Sequence, residues 1–446
     1  MTTLWNTSGK KVDKTVQAYT VGTDYVFDMH LLPFDIDGSV AHARGLQKIG
    51  ILTAKELKDV LRAFAELRKD FTLGRITITP EDEDCHTVIE HYLVEKLGDV
   101  GKKIHTGRSR NDQVLTAVRL YMKHHVALVR TKCLDLADSC VEKADAYQHI
   151  PMPGYSHTQQ AMLSSVGHYM ASIAESLLDD ESFLASVADH IDKSPLGSAA
   201  GFGSAIPLDR AYTARELGFA AVQINSLYCQ TSRGKFESAV MEGLSQVSAT
   251  LARLANDLVW FTSQEFAFFD ADDAVVTGSS IMPQKRNLDP LELLRGNAAI
   301  IAGNQLAIKE LSKNLLSGYN RDLQLMKKPL MESMMSVEDG LEIARVVLQH
   351  VQPNEKEIRA RIHPGMFLAD IANDMVLSRG VPFRDAYALA KGMEAKDMDL
   401  AKNIREKRSL GAPGKLGLAT YRARIARARR SMYGRHRFAK TSSNMS

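Results

Sequence analysis

Apolar residues recur along this chain in steps of three and four. Between 115 and 140 they fall at Leu115, Val118, Met122, Val126, Val129, Cys133, Leu136 and Cys140. That spacing predicts a long helix with one buried stripe. A second series, Phe236, Val240, Leu244, Val247, Leu251, Leu254, Leu258 and Phe261, predicts a seam between near-parallel helices. Met162, Val166, Tyr169, Ile173 and Leu177 predict a third helix, entered through Ser156 and His157. Alternating strand patterns are scarce, and ITIT at 76–79 is the clearest. Thr79-Pro80-Glu81-Asp82 reads as a helix start, with Thr79 as cap and acids near the positive end of the dipole.

The pattern predicts an all-α fold in three parts. An N-terminal helical domain covers 1–112, a central bundle of long helices covers 113–362, and a C-terminal helical domain with a basic tail covers 363–446. Helices this long pack in bundles, and exposed second stripes drive subunits together. The seam helices at 113–140 and 231–268 are expected to pair between subunits.

Composition removes several classes. Of 446 residues, 45% are hydrophobic and 24% charged, as in ordinary globular chains. A net charge of +3 gives no footing for nucleic acid, and the arginine-rich stretch from Tyr421 to Lys440 reads as a solvated helix. No apolar run reaches the length of a membrane span. The opening MTTLWNTSGKKVDK lacks a hydrophobic signal region, so a cytoplasmic protein is expected and the sequon at Asn6 carries no weight. Four cysteines, at 85, 133, 140 and 229, show no CxxC spacing. Cys133 and Cys140 fall on the first stripe and read as core.

Four polar segments sit between the helices. TGSSIMPQKRNLDP at 277–290 places Ser279, Ser280, Lys285 and Asn287 on a loop that Gly278 and Pro283 keep from being helical. Its amides and Lys285 suit an anion. HTGRSRNDQV at 105–114 sets Arg108, Arg110 and Asn111 before a long helix, where carboxylates are favoured. GYSHTQQA at 154–161 carries Ser156 and His157, and GYNRDLQLMKKP at 318–329 carries Tyr319, Arg321, Gln324 and Lys327. His86 and Glu90 stand one turn apart like a metal pair, but no third ligand has fitting spacing.

TGSSIMPQKRN resembles the signature loop of the fumarase/aspartase superfamily. HTGRSRNDQ and YNRDLQ are similar to stretches that mark its argininosuccinate lyase branch. HTVIEHYL at 86–93, SPLGSAAG at 194–201 and RGVPFRDAY at 379–387 extend the resemblance over most of the chain. It implies an all-α homotetramer with a twenty-helix core, and active sites assembled from three subunits. It implies no cofactor; no metal and no nucleic-acid or membrane partner are expected from the spacing, charge and apolar runs above. The implied reaction splits argininosuccinate into fumarate and L-arginine, the last step of arginine biosynthesis. Ser279 is then the base and His157 the acid or its partner, with Glu292 orienting His157. Lys285 and Asn287 bind the succinyl carboxylates, where charge builds as the proton leaves. Asn111, Ser156, Tyr319, Gln324 and Lys327 match substrate-binding positions, and Asp24 and Arg110 join them.

Departures from the family pattern bear on the arginine half of the substrate. Asp24 stands where a serine is common, Leu288 where a proline is, and Ser156 where a threonine is. SRGKF at 232–236 replaces a stretch usually like SDRDF. The alternatives are another fumarate-releasing lyase of the superfamily or a crystallin-like structural protein on the same fold.

Overall fold

The structure, a computed structural model, describes residues 13–395 and 398–441, with side chains as far as Met432 in the last helix. The segment around Asn6 and the basic side chains beyond Met432 lie outside the described residues. The elements that build the molecule are α1 (Asp24–Lys48), α2 (Cys85–Leu97), α3 (Arg110–Ala146), the strands β1 (Pro151–Ser156) and β2 (Gln159–Ser165), α4 (Val166–Ile191), α5 (Lys235–Phe261), α6 (Asp289–Leu311), α7 (Lys327–Gln349) and α8 (Leu418–Thr441). β1 and β2 form an antiparallel hairpin, and two further strand pairs are each two or three residues long. The fold is all-α, as the apolar periodicity predicts.

The five helices α3 to α7 form the bundle. α3 lies along α4 and α7, and α5 lies along α6, α4 and α7. α1 closes one flank of α3, and α8 returns from the C-terminal region to cover α3 and α4. One apolar cluster runs through all of these elements, and two small clusters sit under 362–404. The arginines of α8 have partners within the chain. Arg422 pairs with Asp145 at 2.6 Å, Arg424 with Asp179 at 2.6 Å, and Arg429 with Asp135 at 2.9 Å and Asp138 at 3.0 Å. The described part of the basic tail is therefore docked rather than free. Among the described residues, no helix is long and apolar enough to cross a membrane.

Local chemistry sets the helix ends. Ser109 Oγ accepts the Asn111 N–H at 3.2 Å, and Asp112 accepts the Ser109 N–H at 3.0 Å, a reciprocal cap that starts α3 at Arg110. Asp84, not Thr79, caps α2, accepting the Thr87 N–H at 2.8 Å. The helix expected from Thr79 does not form, because Asp82 folds back on the Thr79 N–H and Glu83 takes a positive φ of 71°. ITIT at 76–79 finds no neighbouring strand; Ile78 packs into the core instead. Ser165 caps α4, so Met162 belongs to β2 and lies exposed outside the stripe predicted for it.

The stripes of α3 and α5 are spent inside the chain. Their apolar residues up to Leu258 are buried against neighbouring helices of the same bundle, so pairing of these helices between subunits would use their other faces. An unpartnered apolar face lies on α6. Leu291, Leu294, Ile301 and Ile308 face the core, while Leu293 is 68% exposed, Ile300 64% and Leu306 59%. Gly296 and Gly303 on this helix have open space where a Cβ would sit.

The join between α3 and α4 is tight. A Cβ on Gly167 would lie 2.5 Å from the Ala144 carbonyl oxygen and 2.5 Å from Gln148 Cα, both backbone atoms. Gly167→Ala is expected to cost about 1–3 kcal/mol and lower the thermal midpoint. An unchanged midpoint by circular dichroism would contradict this packing.

Candidate active site

One cleft of about 100 Å³ forms where α1, α2, α3 and α7 begin. Asp24, Arg110, Asn111, Tyr319, Gln324 and Lys327 line it, together with Glu83, Asp84, His86, Arg233 and Arg321. Six residues from three separated segments of the sequence thus meet in one place.

Lys327 organises the cleft. Its Nζ donates to Asp24 Oδ2 at 2.7 Å and to Asp28 Oδ1 at 2.6 Å. Asp28 Oδ2 also accepts the Cys85 N–H at 3.0 Å, so α7, α1 and α2 are tied through one buried cluster. Burial works against the ammonium charge, but Asp28 and Asp24 outweigh it and raise the Lys327 pKa. One ammonium does not satisfy two buried carboxylates. Burial, opposed by Lys327 and reinforced by Asp28, lifts the Asp24 pKa to about 6.

The other charged walls, Arg233 apart, are paired. Arg110 reaches Glu83 at 3.3 Å and Asp84 at 3.4 Å, and also bonds Thr87. Arg321 donates to Glu83 at 2.8 Å. Gln324 Nε2 donates to the Thr20 carbonyl at 3.2 Å. Arg108 is buried beneath the cleft, donating to Ser39 at 3.0 Å and facing Asp35 at 3.6 Å, so it holds the loop. His86 Nδ1 bonds Asp35 Oδ2 at 2.6 Å, and its Nε2 is buried without a hydrogen-bond partner. Burial lowers the His86 pKa, but Asp35, Asp84 and Asp28 outweigh it and the net shift is upward.

Asp35, Cys85 and His86 bring three ligand-type atoms within 4.8 Å, a third group that the spacing of His86 and Glu90 did not reveal. Their chemistry is that of a hydrogen-bonded network. His86 Nδ1 is committed to Asp35, and burial beside Asp28, Asp35 and Asp84 pushes the Cys85 thiol well up, away from the thiolate a metal needs. Glu90 faces His105 at 3.7 Å instead of His86.

The remaining predicted residues stand elsewhere. Ser156 and His157 are at the tip of the β1–β2 hairpin rather than at a helix entry. His157 and Thr158 have φ of 51° and 60°, a two-residue turn that bends the way the strands twist. Neither is glycine, so the tip holds two residues in a region that L side chains rarely adopt. Ser279 and Lys285 lie on the loop before α6. Thr277 and Asn287 exchange two backbone hydrogen bonds of 2.9 Å that pinch its base, and Arg286 anchors to Asp273. Ser279 Oγ accepts the Met282 N–H at 3.2 Å and the Ile281 N–H at 3.4 Å. Asn287 and Glu292 line a second hollow with residues of the 262–271 segment. Among the described residues, Glu292 makes no bond to His157.

Helix length explains the separation. α3 has 37 residues, hence about 55 Å from end to end at ~1.5 Å per residue. Asn111 is in its first turn, and the hairpin with His157 follows its last. α6 has 23 residues, with the Ser279 loop before it and Tyr319 after it. The cleft therefore occupies one end of the bundle, and the hairpin and loop the other.

Sequence reasoning missed Arg233, Glu83 and Asp84 as parts of the cleft. The available signal for Arg233 was SRGKF, where Arg233 stands before a glycine at a helix start.

These features define a helical lyase architecture, and comparison with known proteins agrees. A family model described as lyase matches residues 7–303. Argininosuccinate lyase of Xylella fastidiosa strain Temecula1 is 42% identical over 424 residues, covering 94% of this chain and 95% of that protein. Argininosuccinate lyase of Thermotoga neapolitana is 40% identical over 396 residues, covering 89% and 99%. The chain belongs to the lyase family and, within it, to the family of the argininosuccinate lyases. Solved structures share its fold. EDDS lyase in complex with formate matches with a TM-score of 0.79 at 21% identity, covering 97% of this chain and 94% of the other. The fumarate lyase:delta crystallin of Brucella melitensis bound to cobalt matches with a TM-score of 0.70 at 19% identity, covering 91% of each.

The raised Asp24 pKa has a consequence for stability. An acid whose folded pKa exceeds its unfolded one contributes most below the unfolded value and loses that contribution as pH rises through the folded value. Between about pH 4 and about pH 6, Asp24→Asn should therefore gain stability relative to the unaltered chain, by up to roughly 3 kcal/mol. Urea unfolding at several pH values measures the gap. A gap that stays flat or shrinks as pH rises would contradict the shift.

Proposed function

We propose that this chain cleaves argininosuccinate to fumarate and L-arginine. The observation that carries the reading is the cleft: Asp24, Arg110, Asn111, Tyr319, Gln324 and Lys327 converge in a chain whose relatives are named argininosuccinate lyase. In the proposed reaction a base removes a proton from the succinyl carbon beside one carboxylate. The C–H electron pair becomes the double bond of fumarate, the C–N bond breaks, and an acid protonates the departing guanidino nitrogen.

Ser279 is proposed as the base, His157 as the acid or its partner, and Lys285 and Asn287 as stabilisers of the carboxylate where charge accumulates. A serine hydroxyl is a weak base at neutral pH. Two backbone N–H groups aimed at Ser279 Oγ favour its anionic form, and Lys285 adds charge nearby when the loop meets substrate. Glu292 is proposed to orient His157, and Ser156 to contact substrate beside it. No cofactor enters this reaction.

The site requires association. Groups at opposite ends of a helix about 55 Å long meet only if another copy of the chain lies alongside and reversed. The exposed apolar face of α6 supports such packing, and the proposed assembly is a homotetramer. Buried, unpaired cysteines suit the reducing cytoplasm in which we place the enzyme.

The direct test is absorbance near 240 nm as fumarate forms from argininosuccinate, compared with other succinyl adducts. No fumarate from argininosuccinate would defeat the reading. Ser279→Ala and His157→Asn are each expected to lower kcat by about 10²-fold or more while far-ultraviolet circular dichroism stays unchanged. Turnover near normal in either variant removes that residue from the mechanism.

Subunit sharing has its own test. Ser279→Ala and His157→Asn chains are co-expressed, and oligomers containing both are purified. Because the two losses fall on different chains of one site, some intact sites should re-form and activity should return. Mixed oligomers as inactive as their parents would contradict a shared site.

A further inference from the structure

Arg110, Arg321, Lys327 and His86 in the cleft each have a carboxylate partner within the chain. Arg233 does not. Its side chain lines the same cleft, the residue is only 7% exposed, and its Nη1 is buried with no hydrogen-bond partner among the described residues. A buried guanidinium without an acceptor is costly unless a ligand supplies one.

The local backbone explains why the guanidinium is left free. Gly234 follows with φ of 85°, and a Cβ there would meet Ser312 Cβ at 2.4 Å, so the turn into α5 requires glycine. Glu237, the nearest acid on α5, accepts the Gly234 N–H at 2.6 Å and is spent as a cap. The guanidinium carbon sits 5.0 Å from the centre of the Tyr319 ring, which braces the planar group. Asp24 lines the same cleft and acts electrostatically on Arg233 without a hydrogen bond to it, while it shares one ammonium with Asp28 and so retains acceptor capacity.

We propose that Arg233 receives the α-carboxylate at the amino-acid end of the substrate, with Asp24 facing the α-ammonium, so that the cleft selects a free amino acid at that end. The proposal rests on the lyase reading above. A carboxylate matches the guanidinium fork, and the Asp24 carboxylate matches an ammonium on the same carbon. The pairing also gives a role to two positions, Asp24 and SRGKF, that depart from the family pattern.

The test runs the reaction backwards with the full chain, fumarate, and either L-arginine or agmatine, which lacks only the carboxylate. The unaltered protein should prefer arginine in kcat/KM by on the order of 10–100-fold. Arg233→Met should bring arginine down to the agmatine level while agmatine changes little, and Arg233→Lys should recover part of the preference. Equal treatment of the two amines by the unaltered protein overturns the proposal without any variant. So does an equal fall for both in Arg233→Met, which is the outcome of a merely structural role or of contact with the succinyl half. If the unaltered protein forms no product at all, the lyase reading fails separately. Calorimetric binding of arginine and agmatine then decides: a preference lost in Arg233→Met upholds the carboxylate receptor, and no preference overturns it.

Discussion

A single helix of 37 residues holds Asn111 and His157 apart. An α-helix packed on both flanks does not fold back, so about 55 Å of chain separates the two groups whatever the loops do. The same holds for Ser279 and Tyr319 at the two ends of α6. Each helix carries an apolar stripe that fixes it in the bundle and polar residues at its ends that carry the chemistry. Long helices make the positioning rigid and at the same time keep the two parts of the proposed site apart within one chain. Association of chains is then the condition of the proposed reaction, and the open face of α6 is where the fold leaves room for it.

At the cleft end, charge balance is the organising feature. Lys327 is shared by Asp24 and Asp28, Arg110 and Arg321 are held by Glu83 and its neighbour Asp84, and His86 is held by Asp35. Buried ions persist only when paired. The paired groups form the frame, and the uncommitted capacity lies on Arg233, on His86 Nε2 and on the second lone pairs of Asp24. At the other end the polar groups are exposed and carried on short backbone devices, the strained hairpin tip and the pinched loop. In the proposed reaction, the paired cleft at one end holds one half of the substrate while the groups carried at the other end change the other half.

The bundle was legible because period-3.6 stripes survive wherever a helix buries one face. α3 and α5 followed from their apolar positions alone. α6 was not found that way, since Leu293, Ile300 and Leu306 fill a second face and blur the period. The hairpin at 151–165 was absorbed into the following helix because Met162 continued its spacing by coincidence. For the cleft, two of the four polar segments, 105–114 and 318–329, supplied Arg110, Asn111, Tyr319, Gln324 and Lys327, but two facts were beyond any linear pattern. Asp24 and Lys327 are about 300 positions apart and share a proton-sensitive contact. Arg233 became visible only once its acceptors could be searched in space and Glu237 was seen turned to the backbone. Asp35 likewise joined His86 through folding, not spacing.

The central claim is that one reaction site draws its two halves from opposite ends of different chains. The most direct measurement is an experimental structure of the assembled Ser279→Ala protein with argininosuccinate bound. The account predicts the arginine half in the Asp24–Lys327 cleft of one chain, and the succinyl half against the 277–287 loop and the His157 hairpin of others. A substrate whose two halves are contacted by a single chain, or that lies outside the cleft, would contradict it.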